Sequence, residues 1–175
     1  MNRNRFEGKV ALVTGAGSPR GIGRATALAL AREGAKVTIT DIVADNVKRV
    51  VSELTEISQA IGEVADVRNK DQMVRVVKRT TEALGGLDIL VNVAGLTRPT
   101  LFLDISEEEY DLVLDVNLKG TFLTTQAAVP AMRERWRHNC LSLFSIGAKR
   151  RWRFWHIRLQ RGQSRHYGLD QGSCS

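Results

Sequence analysis

The stretch KVALVTGAGSPRGIGRATALALAREG, Lys9 to Gly34, changes character twice. It opens as a short apolar, β-rich run that ends at Thr14, passes through a glycine-rich turn from Gly15 to Gly23, and continues as Ala-rich sequence to Glu33. A brief apolar run closed by glycine has the pattern of a buried parallel strand. The sequence from Ile22 onward is that of a helix, and Gly34 is a natural stop for it. Strand, glycine turn and helix in this order put free backbone amides at the start of a helix, where a pyrophosphate can sit. Glycines let the chain turn tightly and come close to it. A glycine-rich turn also serves ordinary loops, so the weight lies in its position between strand and helix.

The alternation continues outward from this unit. Ala35 to Asp41 predicts a second strand, and roughly Val43 to Ile57 a second helix. Ile61 to Asp66 predicts a third, weaker strand. Asn69 caps a helix whose apolar face is Met73, Val76, Val77 and Leu84 and which Gly85-Gly86 ends. Leu87 to Asn92 is a fourth strand and Cys140 to Ser145 a fifth. Between them Ser106 and Glu109 have capping-box spacing and open helical sequence that runs towards Arg135. Alternating strands and helices imply right-handed crossovers and a parallel sheet covered on both faces. The expected fold is α/β, a Rossmann-type doubly wound parallel sheet flanked by helices, with ligands at the carboxyl ends of its strands. Residues 1–148 are expected to form one domain, truncated relative to a full sheet, and 149–175 a separate basic tail.

Composition narrows the classes. Hydrophobic residues make up 43% of the chain and charged residues 26%, which are ordinary globular values. No apolar run is long enough to span a membrane, and the first ten residues lack a signal-peptide core. Both cysteines, Cys140 and Cys174, fall late in the chain and suggest neither a disulfide framework nor a metal site. A cytoplasmic setting is expected. The net charge is +7, from 26 basic and 19 acidic residues. Ten of the basic residues and only two of the acidic ones follow Met132, so the basicity belongs to the C-terminal end alone.

The second strand ends in Asp41, roughly 20 residues beyond the glycine turn, where a carboxylate can accept from both ribose hydroxyls of a nucleotide. It would repel a 2′-phosphate, which favours NAD over NADP. A solvated strand-end acid is the alternative. With these residues in place the sequence resembles the short-chain dehydrogenase/reductase family. That family's TGxxxGxG motif matches Thr14, Gly15, Gly21 and Gly23, with Pro19-Arg20 as an insertion of two residues. The resemblance assigns Thr14, Gly15, Gly17, Ser18, Arg20, Gly21, Ile22 and Gly23 to the cofactor loop, with Arg20 offering a phosphate contact. It implies that Asp66 and Val67 contact the adenine ring. "NVAG", Asn92 to Gly95, resembles the family's NNAG motif, which supports the central sheet and borders the cofactor through Asn92, Ala94 and Gly95. Asn117 in "DVNLKG" matches the catalytic Asn that interrupts a helix and holds a water of the proton relay.

The family's chemistry requires three further groups: a Ser that polarises the substrate carbonyl, a Tyr that transfers the proton, and a Lys four residues later that lowers the Tyr pKa. Ser145 aligns with the Ser. The one tyrosine beyond Tyr110 is Tyr167, and Gln171 stands four residues after it, so YxxxK is absent. The tail explains the absence. Codons taken from the last two bases of one residue and the first of the next force Gly at Trp152-Arg153 and at Trp155-His156. They permit the string GGGFGTSAYSAAKAGITGLTKALA, which closely resembles the family's active-site segment with YSAAK in place. One inserted base near Arg150-Arg151 accounts for the tail, which is read as a frameshift product and expected to be disordered. Its Arg and interleaved Trp could bind nucleic acid, but GC-rich codons read out of frame also yield Arg, Trp and Gly, and that reading ranks below incidental basicity.

The expected activity is therefore NAD(P)-dependent hydride transfer between nicotinamide and an alcohol/carbonyl substrate, either a 3-oxoacyl thioester or a small alcohol. Asn117 and Ser145 are the surviving catalytic candidates, and the chain as written is expected to be inactive. The alternative is a non-catalytic nucleotide-binding remnant or pseudogene product. Intact relatives are expected to form homo-oligomers, an assembly this chain is not expected to complete.

Overall fold

The computed structural model describes residues 4–135, together with the strand backbone at 141–145 and 155–157. The apolar run after Lys9 forms β1 (Val10–Thr14), buried along its whole length at the centre of the sheet. Successive side chains of a strand point to opposite faces. Ala11 and Val13 accordingly enter one core and Leu12 the other. A strand buried on both faces needs apolar residues at every position, which is why this one carries no polar alternation.

The remaining strands are β2 (Lys36–Asp41), β3 (Ala60–Val64), β4 (Ile89–Asn92), β5 (Leu141–Ser145) and β6 (Trp155–Ile157). Their order in the sheet is β3-β2-β1-β4-β5-β6. The first five pair in parallel, as the alternation predicts, and β6 runs antiparallel to β5. β6 lies within the stretch read as a tail; the other tail residues, and the frameshift reading itself, lie outside the described residues. The sheet order reverses between β1 and β4, and the crevice at their carboxyl ends is where an open α/β sheet takes its ligand.

On one face α1 (Ile22–Arg32) and α2 (Ala44–Thr55) cover β1 and β2 with Ala27, Leu30, Ala31, Val47, Val50 and Leu54. Gly62 explains why β3 looks weak in sequence. A Cβ there would lie 2.5 Å from the side chains of both Val47 and Val51, so bare backbone is what lets α2 close on the strand. On the other face α3 (Lys70–Leu84) buries Met73, Val76 and Val77 against α5 (Gly120–Arg135). The buried line on α5 is Gly120, Thr124, Ala128 and Met132, four residues apart and mostly small, which allows close helix approach.

The terminators behave as their chemistry dictates. Asn69 Oδ1 accepts from the Gln72 amide at 3.0 Å at the start of α3. At its end Gly85 takes the left-handed conformation, φ 87°, that a side chain disfavours. At α4 (Glu107–Leu114) half of the expected capping box forms. Ser106 Oγ accepts from the Glu109 amide at 3.2 Å, but the Glu109 carboxylate accepts instead from the Thr100 hydroxyl at 2.6 Å. The helical sequence from Ser106 to Arg135 is not one helix. A π-helical turn at Asp115–Lys119 separates α4 from α5.

Candidate functional site

The carboxyl ends of β1, β2, β3 and β4 converge on one rim of the sheet, and the glycine loop crosses that rim. Thr14, the last residue of β1, is 1% exposed, and its hydroxyl oxygen accepts from the amides of Val93 and Ala94, each at 3.1 Å. The first residue of the loop is thereby tied to the segment after β4. Gly15 follows with φ 63°, and a Cβ on it would lie 2.5 Å from the Ala94 backbone. Gly23, in the first turn of α1, has no more room: its Cβ would meet the Gly15 carbonyl at 2.4 Å. These two positions fix how closely helix, loop and β4 can approach.

Pro19 and Arg20, the two extra residues, form the corner of a turn. The Gly21 amide donates to the Ser18 carbonyl at 3.1 Å, so the chain leaves the loop at Ser18 and returns three residues later. Proline at the second position of such a turn has its φ preset. The insertion thus projects outward while Gly17 and Gly21 stay in line. Ser18 and Arg20 are exposed, Gly21 precedes α1 as its N-cap, and Ile22 is 54% exposed at the helix start. Glycine at the N-cap offers no side chain to cap the helix, so the first-turn amides of α1 have no capping side chain from it.

Asp41 closes the other side. Its Oδ2 accepts from the Gly17 amide at 2.8 Å and its Oδ1 from the Val43 amide at 3.3 Å. A Cβ on Gly17 would lie 2.7 Å from the Asp41 carboxyl carbon, so only glycine permits this seat. Beyond Asp41 lies an open cleft of about 340 Å³, lined by Ile42, Val64, Ala65, Asp66, Gln72 and Arg75. Asp66 borders it, with Val67 buried behind. Both Asp66 carboxylate oxygens accept from Arg68, at 2.6 to 3.1 Å, and the Asp66 amide donates to Gln72 Oε1 at 2.8 Å. Hydrogen bonding from Arg68 holds the Asp66 carboxyl below its ordinary pKa against the opposing effect of partial burial.

On the β4 side Asn92 is 3% exposed and donates to Thr125 Oγ1 at 3.3 Å, joining the strand end to α5. Asn117 sits in the π turn and grips the segment after Gly95. Its Nδ2 donates to the Leu96 carbonyl at 2.7 Å and to Val113 O at 2.9 Å, while Oδ1 accepts from the Leu96 amide at 3.2 Å. A Cβ on Gly95 would lie 2.7 Å from that Oδ1. The Asn117 carbonyl accepts from the Thr121 hydroxyl at 2.9 Å. Ser145, the last residue of β5, is in register with Asn92 across the strand pair; its side chain lies outside the described residues.

The sequence-derived residues thus gather on one rim, from Asp66-Val67 through Asp41 and the glycine loop to Asn92, Ala94, Gly95 and Asn117. Three participants were not found in the sequence. Arg68 occupies Asp66, Gln72 holds its amide, and Arg49 of α2 donates to the Gly17 carbonyl at 3.1 Å. Arg68 follows the Asp66-Val67 pair directly, which is a signal of a kind. Arg49 is 32 residues from Gly17 and gave none.

A doubly wound sheet, a glycine loop leading into a helix, and an acid at the end of the second strand define the Rossmann-type nucleotide-binding class. The family model for short chain dehydrogenase matches residues 9–156, and the chain belongs to that family. It is 41% identical over 143 residues to the 3-oxoacyl-[acyl-carrier-protein] reductase FabG of Thermotoga maritima, covering 81% of this chain and 57% of that protein. It is 45% identical over 123 residues to the (2S)-[(R)-hydroxy(phenyl)methyl]succinyl-CoA dehydrogenase subunit BbsD of Thauera aromatica, covering 70% of this chain and 49% of that one. The chain thus spans about half the length of the curated relatives it matches. Among solved structures it superposes on a short chain dehydrogenase from Burkholderia cenocepacia in complex with NADP, with a TM-score of 0.69 and 40% identity over 74% of this chain and 53% of that one. It also superposes on one from Mycobacterium paratuberculosis bound to NAD, with a TM-score of 0.75 and 33% identity over 80% and 56% of the two chains.

Proposed function

We propose that this chain carries the cofactor-binding portion of an NAD(P)-dependent short-chain oxidoreductase, with NAD preferred, and that the 175-residue chain binds nucleotide without turning over substrate. The observation that carries the reading is the seat of Asp41. Its carboxylate rests on the Gly17 amide at 2.8 Å, beside a loop whose Gly15, Gly17 and Gly23 leave no room for a side-chain atom. That cradle fits a pyrophosphate, and the acid beside it fits a ribose diol.

Nicotinamide, when bound, supplies the carbon that gives or takes the hydride. The residues of this chain bind and orient around it. Thr14 holds the loop to the β4 side, and the amides from Gly21 and Ile22 onward complement the pyrophosphate, with Ser18 and Arg20 at its outer edge. Asp41 would accept from the ribose hydroxyls and repel a 2′-phosphate. Asp66, in the cleft flanked by Ile42 and Val64, and Val67 behind it would hold the adenine edge. Asn92, Ala94 and Gly95 would border the nicotinamide end. In a frame-corrected protein Ser145 would polarise the substrate carbonyl, and Asn117, with the Thr121 hydroxyl on its carbonyl, would mark the start of the proton relay.

The substrate class favoured is an acyl thioester. Both curated relatives named above carry an acyl-carrier-protein or CoA substrate in their names, and a similar solved structure from Sinorhizobium meliloti, with short-chain alcohol dehydrogenase in its name, keeps a small alcohol as the second reading. A specific observation limits turnover: Tyr167 is followed at the fourth position by Gln171, so the proton donor and its cation are missing. Acid–base groups contribute about 10²–10⁴-fold to rate, enough to silence the enzyme. Sequencing the gene around codon 150 and removing one base tests this. The corrected protein is expected to gain NAD-linked 3-oxoacyl-thioester reductase or hydroxyacyl-thioester dehydrogenase activity that the 175-residue chain lacks. Robust turnover by the uncorrected chain, or none by the corrected one, overturns the reading.

A further inference from the structure

Gly17 is clamped from two sides by opposite charges. Its amide donates to Asp41 Oδ2 at 2.8 Å, and its carbonyl accepts from Arg49 Nη2 at 3.1 Å. The same Nη2 donates to Asn46 Oδ1 at 2.9 Å, so the guanidinium is positioned by two contacts although the side chain lies on the surface. These contacts use a single nitrogen of the planar fork. Nε and Nη1 make no hydrogen bond among the described residues, and Arg49 forms no ion pair there. Asp41 likewise has backbone amides as its partners and no cation within ion-pair distance among the described residues. The acid expected to select against a 2′-phosphate is thus accompanied, across one glycine, by a preorganised cation with free donors.

We propose that Arg49 is a specificity-determining residue of the nucleotide site, offsetting Asp41 so that the site also admits a 2′-phosphorylated adenosine. The inference rests on the dinucleotide reading above. Guanidinium donors match phosphate oxygens in charge and in geometry, and a group already held in place loses little freedom in using them. Arg20 is the obvious rival, but it stands exposed at the corner of the Ser18–Gly21 turn with no anchoring contact among the described residues. Ordering so long a side chain opposes its contribution. Arg49 is already seated.

The test compares 5′-ADP with 2′,5′-ADP by titration calorimetry on the 175-residue chain and its Arg49→Gln and Arg20→Gln variants. Glutamine removes the charge while keeping an amide able to donate to the Gly17 carbonyl. Arg49→Gln is expected to weaken 2′,5′-ADP about tenfold and 5′-ADP less than about threefold, consistent with a partly exposed charge-assisted contact. Arg49→Lys should restore part of the difference. Added salt should narrow the gap between the parent and Arg49→Gln for the 2′-phosphorylated ligand alone. Equal weakening of both nucleotides would show that Arg49 merely supports the loop and overturns the proposal, as would a 2′-phosphate effect confined to Arg20→Gln. If the parent binds neither nucleotide, the dinucleotide reading falls and this inference falls with it.

Discussion

Thr14→Val removes one oxygen from the point where the glycine loop meets the β4 segment. Valine keeps the branched shape, so the buried volume barely changes, but two amides lose their acceptor. Val93 N and Ala94 N each donate to Thr14 Oγ1 at 3.1 Å. A buried donor left without a partner costs about 1–3 kcal/mol. Both residues are partly buried, so water relieves part of that cost, and the expected total is about 2–4 kcal/mol. Thr14→Ser is the control, because it keeps the oxygen and loses one methyl, for about 1 kcal/mol. In urea, with a slope of about 2 kcal/mol per molar, Thr14→Val should lower the midpoint by about 1–2 M and Thr14→Ser by about half a molar. Hydrogen exchange should show faster exchange at Val93 and Ala94 in the valine variant first. If Thr14→Val unfolds no earlier than Thr14→Ser, the hydroxyl is not what joins the loop to β4.

Other expectations follow from the same contacts. Asn117→Asp should destabilise more than Asn117→Ala, because it replaces an amide donor with an anion against the Leu96 and Val113 carbonyls; thermal unfolding of the pair checks the order. Asp88 accepts from the Val10 amide at 2.9 Å and from Arg135 Nη1 at 2.8 Å, so Asp88→Ala should cost about 2–3 kcal/mol in chemical denaturation and Asp88→Asn less. Asp66 has its pKa lowered by Arg68 from the ordinary 3.8. The stabilisation this gives is fully present above that value and is lost as pH falls through the lower folded pKa. The stability lead of the parent over Arg68→Ala should therefore be flat above about pH 5 and shrink below about pH 4. A lead that instead grew on acidification would show that the pair does not act through the Asp66 carboxylate.

What was legible in the sequence was local. The β1 run, the Ala-rich α1, the Asn69 cap and the Gly85 stop each follow from a few neighbouring residues, and the structure repeats them. The parallel pairing of the first five strands follows from the alternation, whereas their order in the sheet and the antiparallel β6 do not. The weakness of β3 was legible but not its cause, since Gly62 has meaning only once Val47 and Val51 lie over it. The sequence from Ser106 onward looked continuous because a π turn keeps helical composition; resemblance alone pointed to the interruption at Asn117. Of the site, the motif residues were legible and their mutual contacts were not. Arg49 reaches Gly17 from a helix face that looks merely solvated, and Glu109 leaves its capping role for Thr100, a partner that lies outside the capping pattern.

Titration of the 175-residue chain with NAD, followed by heat and by protection of the glycine-loop amides from exchange, tests the central claim most directly. The account predicts saturable binding at one site per chain, with protection concentrated at Gly17, Gly21 and the first turn of α1 and with weaker binding in Asp41→Ala. Absence of saturable heat from a chain that melts cooperatively, or binding that leaves those amides and the Asp41→Ala variant unaffected, would contradict it.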